Sequence, residues 1–268
     1  MRFTPLIDTV PDILARIVAR KRADLTLAVP LPLERWEGEA ALQLPLRRDF
    51  RAALVASTPA IIAEVKKASP SKGLLANDFD PARIAAAYAR GGAAALSVLT
   101  DAPFFQGSLS DLGAARAAVR LPVLRKDFTI DAAQILEAAA HGADAILLIA
   151  AILTEREIRD FREQAAHLGL SALVEVHNRR ELDIAVSAGA DLIGVNNRDL
   201  TSFAVSLETS LELAAHMPKN AVLVSESGIH SPADIARLRT AGYHAFLVGE
   251  HLMKCGDPAS ALAQLVGA

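Results

Sequence analysis

Glu64 and Lys66 stand two residues apart in "IIAEVKKASPSKG" (61–73), at the end of an otherwise apolar run. A carboxylate and an ammonium on one face of a strand lose hydration free energy unless they are paired or used. The same arrangement recurs along the chain. Lys126 closes "PVLRK" and is followed by Asp127 and Phe128, and Glu175 sits in "LVEVHN". Asn196 and Arg198 sit in "GVNNRDL", Glu226, Ser227 and Gly228 in "SESGI", and Gly249 and Glu250 in "LVGEHL". Two lysines with two or three glutamates in one pocket offset each other's desolvation and tune each other toward proton transfer. Each residue alone has a plainer reading. A lone Lys or Glu at a strand end is usually an edge residue reaching water. "NNRD" suits a turn, and Glu226 suits a structural partner for a nearby lysine. The set says more than its members, because six different segments contribute to it. His177 and His251 have no second ligand at metal spacing, so ordinary polar positions are expected there and no metal site.

The elements that must hold these residues recur regularly. Apolar runs lie at 61–65, 95–99, 122–126, 145–149, 172–176, 192–195, 221–224 and 245–248. They start roughly every 25 residues, the period of a strand-plus-helix unit. Most lack polar alternation, as parallel strands buried on both faces do. Helices are predicted between them. "DPARIAAAYARGGA" has Asp80 as N-cap, Pro81 at the first helical position and Gly91-Gly92 at its end, and "SPADIARLRTAGY" repeats the plan with Ser231, Pro232 and Gly242. Eight such units predict a closed (β/α)₈ barrel, the TIM barrel. Neither GxGxxG nor GxxxxGK[ST] occurs to argue for a doubly wound nucleotide fold. In a barrel, residues at the C-terminal strand ends face one mouth, which is where the polar residues above fall. The loops after the last two strands often bind phosphate, and Gly228 and Gly249 open them. Glu250 opposes that assignment unless its carboxylate turns away.

Residues 1–57 precede the repeat. Val10, Ile13, Leu14, Ile17 and Val18 fall on one helical face. "VPLPLERWEGE" reads as a Pro-rich connection and "LPLRRDFRAAL" (44–54) as a second short helix. The segment is too short to bury a good core alone, so a helical extension packed on one barrel domain spanning 1–268 is expected. The loop "ASPSKGLLANDFDP" is expected to form a partial lid.

Composition narrows the functional classes. Of 268 residues, 52% are hydrophobic, enough for a large core. The 28 Lys+Arg against 31 Asp+Glu leave a net charge of −3, which gives no general pull toward nucleic acid or anionic membrane. The single cysteine, Cys255, excludes an internal disulfide. The N-terminus lacks a signal-peptide pattern, and the apolar run at 145–153 is too short for a bilayer, so a cytoplasmic location is expected.

Six ordered motifs, "IIAEVKKASPSKG", "LPVLRKDFTID", "LVEVHN", "IGVNNRDL", "SESGI" and "AFLVGEHLM", together resemble the indole-3-glycerol phosphate synthase family of tryptophan biosynthesis. The resemblance runs from about Arg47 to the C-terminus and includes an N-terminal helical extension. It implies a ribulose-phosphate-binding (β/α)₈ barrel and a cofactor-free carbon–carbon lyase. The implied reaction is decarboxylating ring closure and dehydration of 1-(2-carboxyphenylamino)-1-deoxyribulose 5-phosphate. The products would be indole-3-glycerol phosphate, CO₂ and water.

By the same resemblance, Lys126 would be the general acid at the carbonyl. Lys66 would hold the substrate carboxylate and serve as an acid in dehydration. Glu175 would be a base or cation stabiliser, and Glu64 would position the lysines. Asn196 and Ser227 would orient the substrate, and Arg198 would lie near its anion or ring. Ser69, Gly228, Gly249 and the N–H of Glu250 would hold phosphate, while Phe128 and Leu99 would line the anthranilate pocket. The implied partner is a small phosphosugar, with no nucleic acid and no membrane. A monomer or weak dimer is expected, with contact to other tryptophan-pathway enzymes left open. Phosphoribosylanthranilate isomerase, a related barrel, needs a cysteine and an aspartate as its acid–base pair, and no cysteine stands at the first strand end here. A phosphosugar-binding barrel without activity should have lost a polar strand-end residue, and none is missing.

Overall fold

The apolar runs become strands because their side chains are buried on both faces. In the computed structural model, which describes residues 12–28, 30–76 and 78–267, eight parallel strands close into a barrel. They are β1 (Ala60–Val65), β2 (Ala95–Leu99), β3 (Val123–Lys126), β4 (Ala145–Ile149), β5 (Ser171–Val176), β6 (Leu192–Asn196), β7 (Val222–Glu226) and β8 (Ala245–Val248). Each pairs with the next, and β8 returns to β1 through Ala60↔Ala245 and Ala63↔Val248. All six residues of β1 are buried, Glu64 among them. The register brings the polar ends level: Leu99 lies opposite Lys126, Ile149 opposite Glu175, and Asn196 opposite Glu226. β7 continues past the apolar run, because Ser225 and Glu226 stay in the ladder between Val195 and Asn196 on one side and Phe246 and Leu247 on the other.

Local caps set the intervening helices. The helix Pro81–Arg90 starts where the Asp80 carboxylate accepts the Arg83 N–H at 3.1 Å, and Gly91 follows its last turn. Its buried Tyr88 donates a hydrogen bond to the Glu64 carbonyl at 3.2 Å, tying the helix to the first site strand. The helix Pro232–Thr240 carries a full capping box between Ser231 and Asp234. No described helix is long and apolar enough to cross a membrane.

The N-terminal segment departs from its expected layout. Helix α1 (Asp12–Leu27) buries Leu14, Ile17 and Val18, while Val10 lies outside the described residues. A helix, α2 (Leu33–Gln43), replaces the Pro-rich connection. Pro32 stands just outside it, where a locked φ and a missing N–H interrupt nothing. The helix lies along Ala132–Ala140 and buries Ala40. The helix expected over 44–54 is divided into a 3₁₀ turn, Leu44–Leu46, and α3 (Phe50–Ala56). The Asp49 carboxylate sets the start of α3 by accepting the Ala52 N–H at 2.8 Å. Between them, Arg47 donates to the carbonyls of Ala139 (2.6 Å) and Ala143 (2.9 Å), and Arg48 to that of Leu121 (2.7 Å). These carbonyls precede β3 and β4, at the barrel's base. At the opposite end, Lys21 of α1 pairs with Asp127 at 2.6 Å and Asp101 at 3.1 Å, on the loops after β3 and β2. The segment is therefore anchored at both ends of the barrel.

Candidate active site

The C-terminal mouth encloses a cavity of about 370 Å³. Lys126, at the end of β3, reaches Glu175 Oε2 of β5 at 3.0 Å and Glu226 Oε2 of β7 at 3.7 Å. Lys66 forms an ion pair with Glu64 beside them. Glu64, Glu175 and Glu226 are 5%, 2% and 2% exposed, so their charges are met by protein and not by bulk water. Asn196 of β6 orients this group. Its Nδ2 donates to Glu175 Oε1 (3.2 Å), and its Oδ1 accepts from the Ser227 hydroxyl (2.9 Å) and the Arg198 N–H (3.0 Å).

Two glycines make room for the carboxylates. A Cβ on Gly194 would lie 2.2 Å from Glu226 Oε1, and one on Gly249 would lie 2.3 Å from Glu64 Oε1. Gly249 is therefore required by its closeness to Glu64, a reason separate from any phosphate contact. Gly228 follows Ser227, and both adopt positive φ, at 79° and 68°. That geometry suits glycine and turns this loop sharply at the mouth.

The electrostatics follow from burial and pairing. Burial disfavours the Lys126 ammonium, but Glu175, Glu226 and Glu64 outweigh it and hold Lys126 above the ordinary lysine range. Burial also opposes the Glu175 carboxylate, but Lys126 and His177 overcome this and hold it below the ordinary carboxylate range. Glu226 goes the other way: burial, then repulsion from Glu175, pushes it well up. Its Oε1 is buried and has no hydrogen-bond partner among the described residues. The cluster thus favours an ammonium at Lys126 and a carboxylate at Glu175, while Glu226 is drawn toward its protonated form.

The remainder of the cavity divides into anionic and apolar parts. Glu250 is ringed by Lys254 (2.6 Å), Arg198 (3.5 Å) and Lys72 (3.8 Å). Burial opposes its charge, yet these cations hold its pKa below the usual value. Its negative charge is therefore largely cancelled beside Gly228 and Gly249. Ser69 stands nearby in a two-strand hairpin, Ala68–Ser69 with Gly73–Leu74, which forms much of the expected lid. On the opposite wall Phe128 and Phe105 meet with ring centroids 5.9 Å apart, near Leu99 and Ile149.

All the candidate residues read from the sequence line this cavity: Glu64, Lys66, Ser69, Leu99, Lys126, Phe128, Glu175, Asn196, Arg198, Ser227, Gly228, Gly249 and Glu250. The structure adds Glu226, left open in sequence as a structural partner, and Phe105, whose signal was the pair "FF" in the second loop. It also adds Ile13, Leu14 and Ile17 of α1, which close the cavity from above. His177, read as an ordinary polar position, lies against Glu175. Within the described residues, no group of three or more His, Cys, Asp or Glu could hold a metal ion.

A (β/α)₈ barrel with buried lysine–carboxylate pairs at its C-terminal mouth places acid–base groups where enzymes of this fold carry their active sites. Two solved structures share the fold alone: thiamine phosphate pyrophosphorylase from Pyrococcus furiosus (TM-score 0.58, 19% identity, 77% of this chain and 93% of that one) and N-acetylmannosamine-6-phosphate 2-epimerase from Clostridium perfringens (0.57, 18%, 74% and 89%). The protein-family model described as indole-3-glycerol phosphate synthase matches residues 14–265. Proteins of that name from Polaromonas naphthalenivorans (strain CJ2) and Azoarcus sp. (strain BH72) are each 51% identical, over 96% of this chain and 99% of their own length. The relative from Koribacter versatilis (strain Ellin345) is 52% identical over 94% of both chains. The chain belongs to the indole-3-glycerol phosphate synthase family, the decarboxylating lyases of tryptophan biosynthesis.

Proposed function

We infer that this chain carries out its family's reaction, with Lys126 as the acid of ring closure. The observation that carries the reading is the Lys126 ammonium held between Glu175 and Glu226 in a cavity with an apolar wall and a cationic rim. The substrate is 1-(2-carboxyphenylamino)-1-deoxyribulose 5-phosphate. Its phosphate fits beside Gly228, Gly249 and Ser69, with Arg198 near, and its aromatic ring fits against Phe128, Phe105 and Leu99. Lys66 meets the substrate carboxylate.

The ring carbon bearing the carboxylate attacks the ribulose carbonyl carbon, and Lys126 gives its proton to the carbonyl oxygen as the π bond opens. CO₂ leaves, and the electrons of the broken C–C bond restore the aromatic ring. The new hydroxyl then departs as water with a proton from Lys66, while Glu175 takes the proton released as the pyrrole double bond forms. Asn196 and Ser227 orient the reacting groups, and Glu64 holds Lys66. Glu226, whose carboxyl is drawn toward its protonated form by burial, can return a proton to Lys126 between steps. The reaction balances without an oxidant, reductant or cofactor. A cytoplasmic site of action accords with the unpaired Cys255.

The test is direct. Purified protein mixed with the substrate should release CO₂ and develop indole fluorescence. Folded protein that leaves the substrate unchanged would defeat the reading.

A further inference from the structure

The reaction above needs Glu175 ionised and aimed, yet it is buried at the centre of the barrel mouth. Lys126 meets Oε2, and Asn196 donates to Oε1. The same Oε1 lies 3.2 Å from His177 Nε2, on the side away from the cavity. That buried nitrogen has no well-aligned hydrogen-bond partner among the described residues, so its link to Glu175 is one of charge. The other ring nitrogen, Nδ1, lies 2.9 Å from Glu181 Oε2 in the helix Arg179–Ser187. Glu181 is itself fixed. Its Oε2 accepts the His177 backbone N–H at 2.8 Å, and its Oε1 accepts from the Asn178 side chain at 2.7 Å.

Each nitrogen of the ring therefore faces a carboxylate oxygen. A neutral imidazole would leave a lone pair turned toward one carboxylate, whereas an imidazolium donates to Glu181 through Nδ1 and sets a positive charge beside Glu175. We propose that His177 is a positioning residue: an imidazolium clamped between Glu175 and Glu181 that keeps Glu175 ionised and aims it at Lys126. The proposal rests on the reading of Glu175 as the base. Burial pulls the ring toward its neutral form, but contact with Glu175 and Glu181 and their charges outweigh it, raising the pKa to about 10. The other charged groups around it are Lys126 and Glu226 beyond Glu175, on β3 and β7, and Arg198 and Asp199 across the side cleft. That cleft, about 500 Å³, is lined by His177 and Glu181 and lies behind Asn196, so the clamp is built outside the substrate cavity.

The experiment compares His177→Gln, Glu181→Gln and Glu175→Gln in kcat and KM across pH, with ¹⁵N imidazole shifts of the wild-type protein. Wild-type Glu175 should stay ionised well into the acid range. In His177→Gln the acid limb of kcat should rise by ~1–3 pH units, the effect of removing an opposite charge at this range. At neutral pH kcat should fall about 10-fold through lost aim, with KM within about twofold. Glu181→Gln should move the limb the same way by less. A lower kcat with an unmoved acid limb would mean a merely structural histidine and overturn the proposal, as would wild-type behaviour of His177→Gln. The NMR measurement stands even if a variant fails to fold: His177 should remain doubly protonated at pH 8, and a neutral ring there overturns the clamp. Wild-type kcat in Glu175→Gln would instead refute the reading of Glu175 as the base, whatever the protonation of His177.

Discussion

Gly194→Ala should displace Glu226 without removing a charge. Gly194 lies inside β6, between Glu175 of β5 and Val224 of β7. The added Cβ would sit 2.2 Å from Glu226 Oε1 and 3.3 Å from Leu173 Cδ1. That is roughly an ångström inside ordinary contact, so the carboxyl oxygen must move or the strands must part. Oε1 has no hydrogen bond to hold it, and the resistance comes from packing around a side chain only 2% exposed. Overpacking of this kind costs about 1–3 kcal/mol. For a chain of this size that corresponds to a fall in Tm of roughly 2–12 °C. Misplacing a reacting group by an ångström costs up to ~10²-fold in rate. We expect kcat to drop about 10–100-fold with KM nearly unchanged, because phosphate and carboxylate are held elsewhere. Indole fluorescence kinetics and scanning calorimetry measure both effects. A lowered Tm with wild-type kcat would remove Glu226 from the chemistry. An unchanged Tm would show that Glu226 does not fill the space beside Gly194.

Gly228→Leu combines a strained φ of 79° with a Cβ 2.6 Å from Val205 Cγ1, so it should raise KM about 10-fold or more by distorting the phosphate loop. An unchanged KM in the folded variant refutes that assignment. Lys21→Met should loosen α1 from the mouth and raise KM, measurable in the same assay. It should also alter acid stability. Burial opposes the Asp127 charge, but Arg125 and Lys21 outweigh it and depress its pKa. A depressed carboxylate stabilises the fold above its unfolded value of about 3.9 and loses that contribution as pH falls. Removing Lys21 lessens the depression, so the acid transition of Lys21→Met, followed by circular dichroism, should begin at a higher pH. An identical transition would show that the Lys21–Asp127 pair contributes nothing.

The strand runs were legible because both faces of a parallel barrel strand are buried, leaving blocks such as "AILLI" with hardly a polar residue. The polar strand ends were legible for the same reason: Glu64 and Lys126 stand out against those blocks. Helix α2 was hidden because Pro30 and Pro32 suggest a linker, and its boundary depends on packing against Ala132–Ala140. Glu226 was visible in place but not in protonation state. That state depends on Glu175 from another strand and on the space left by Gly194, neither of which is local in sequence. The His177–Glu181 pair has a helical four-residue spacing, yet the third partner, Glu175, points from the strand into the barrel. Only the fold shows that one ring touches both. The apolar lid residues Ile13, Leu14 and Ile17 read as a buried stripe, and the sequence alone could not say that they cover the cavity.

The central claim is that Lys126 protonates the carbonyl while Lys66 serves the carboxylate, and steady-state kinetics of Lys126→Met beside Lys66→Met test it most directly. Methionine keeps length and apolar bulk but cannot donate a proton. Lys126→Met should lose ~10²–10⁴-fold in kcat, the usual contribution of a positioned general acid, with KM close to wild type. Lys66→Met should change both kcat and KM. Circular dichroism establishes that each variant is folded. A folded Lys126→Met enzyme with near wild-type kcat would contradict the assignment, and Lys66 would then be the acid to examine.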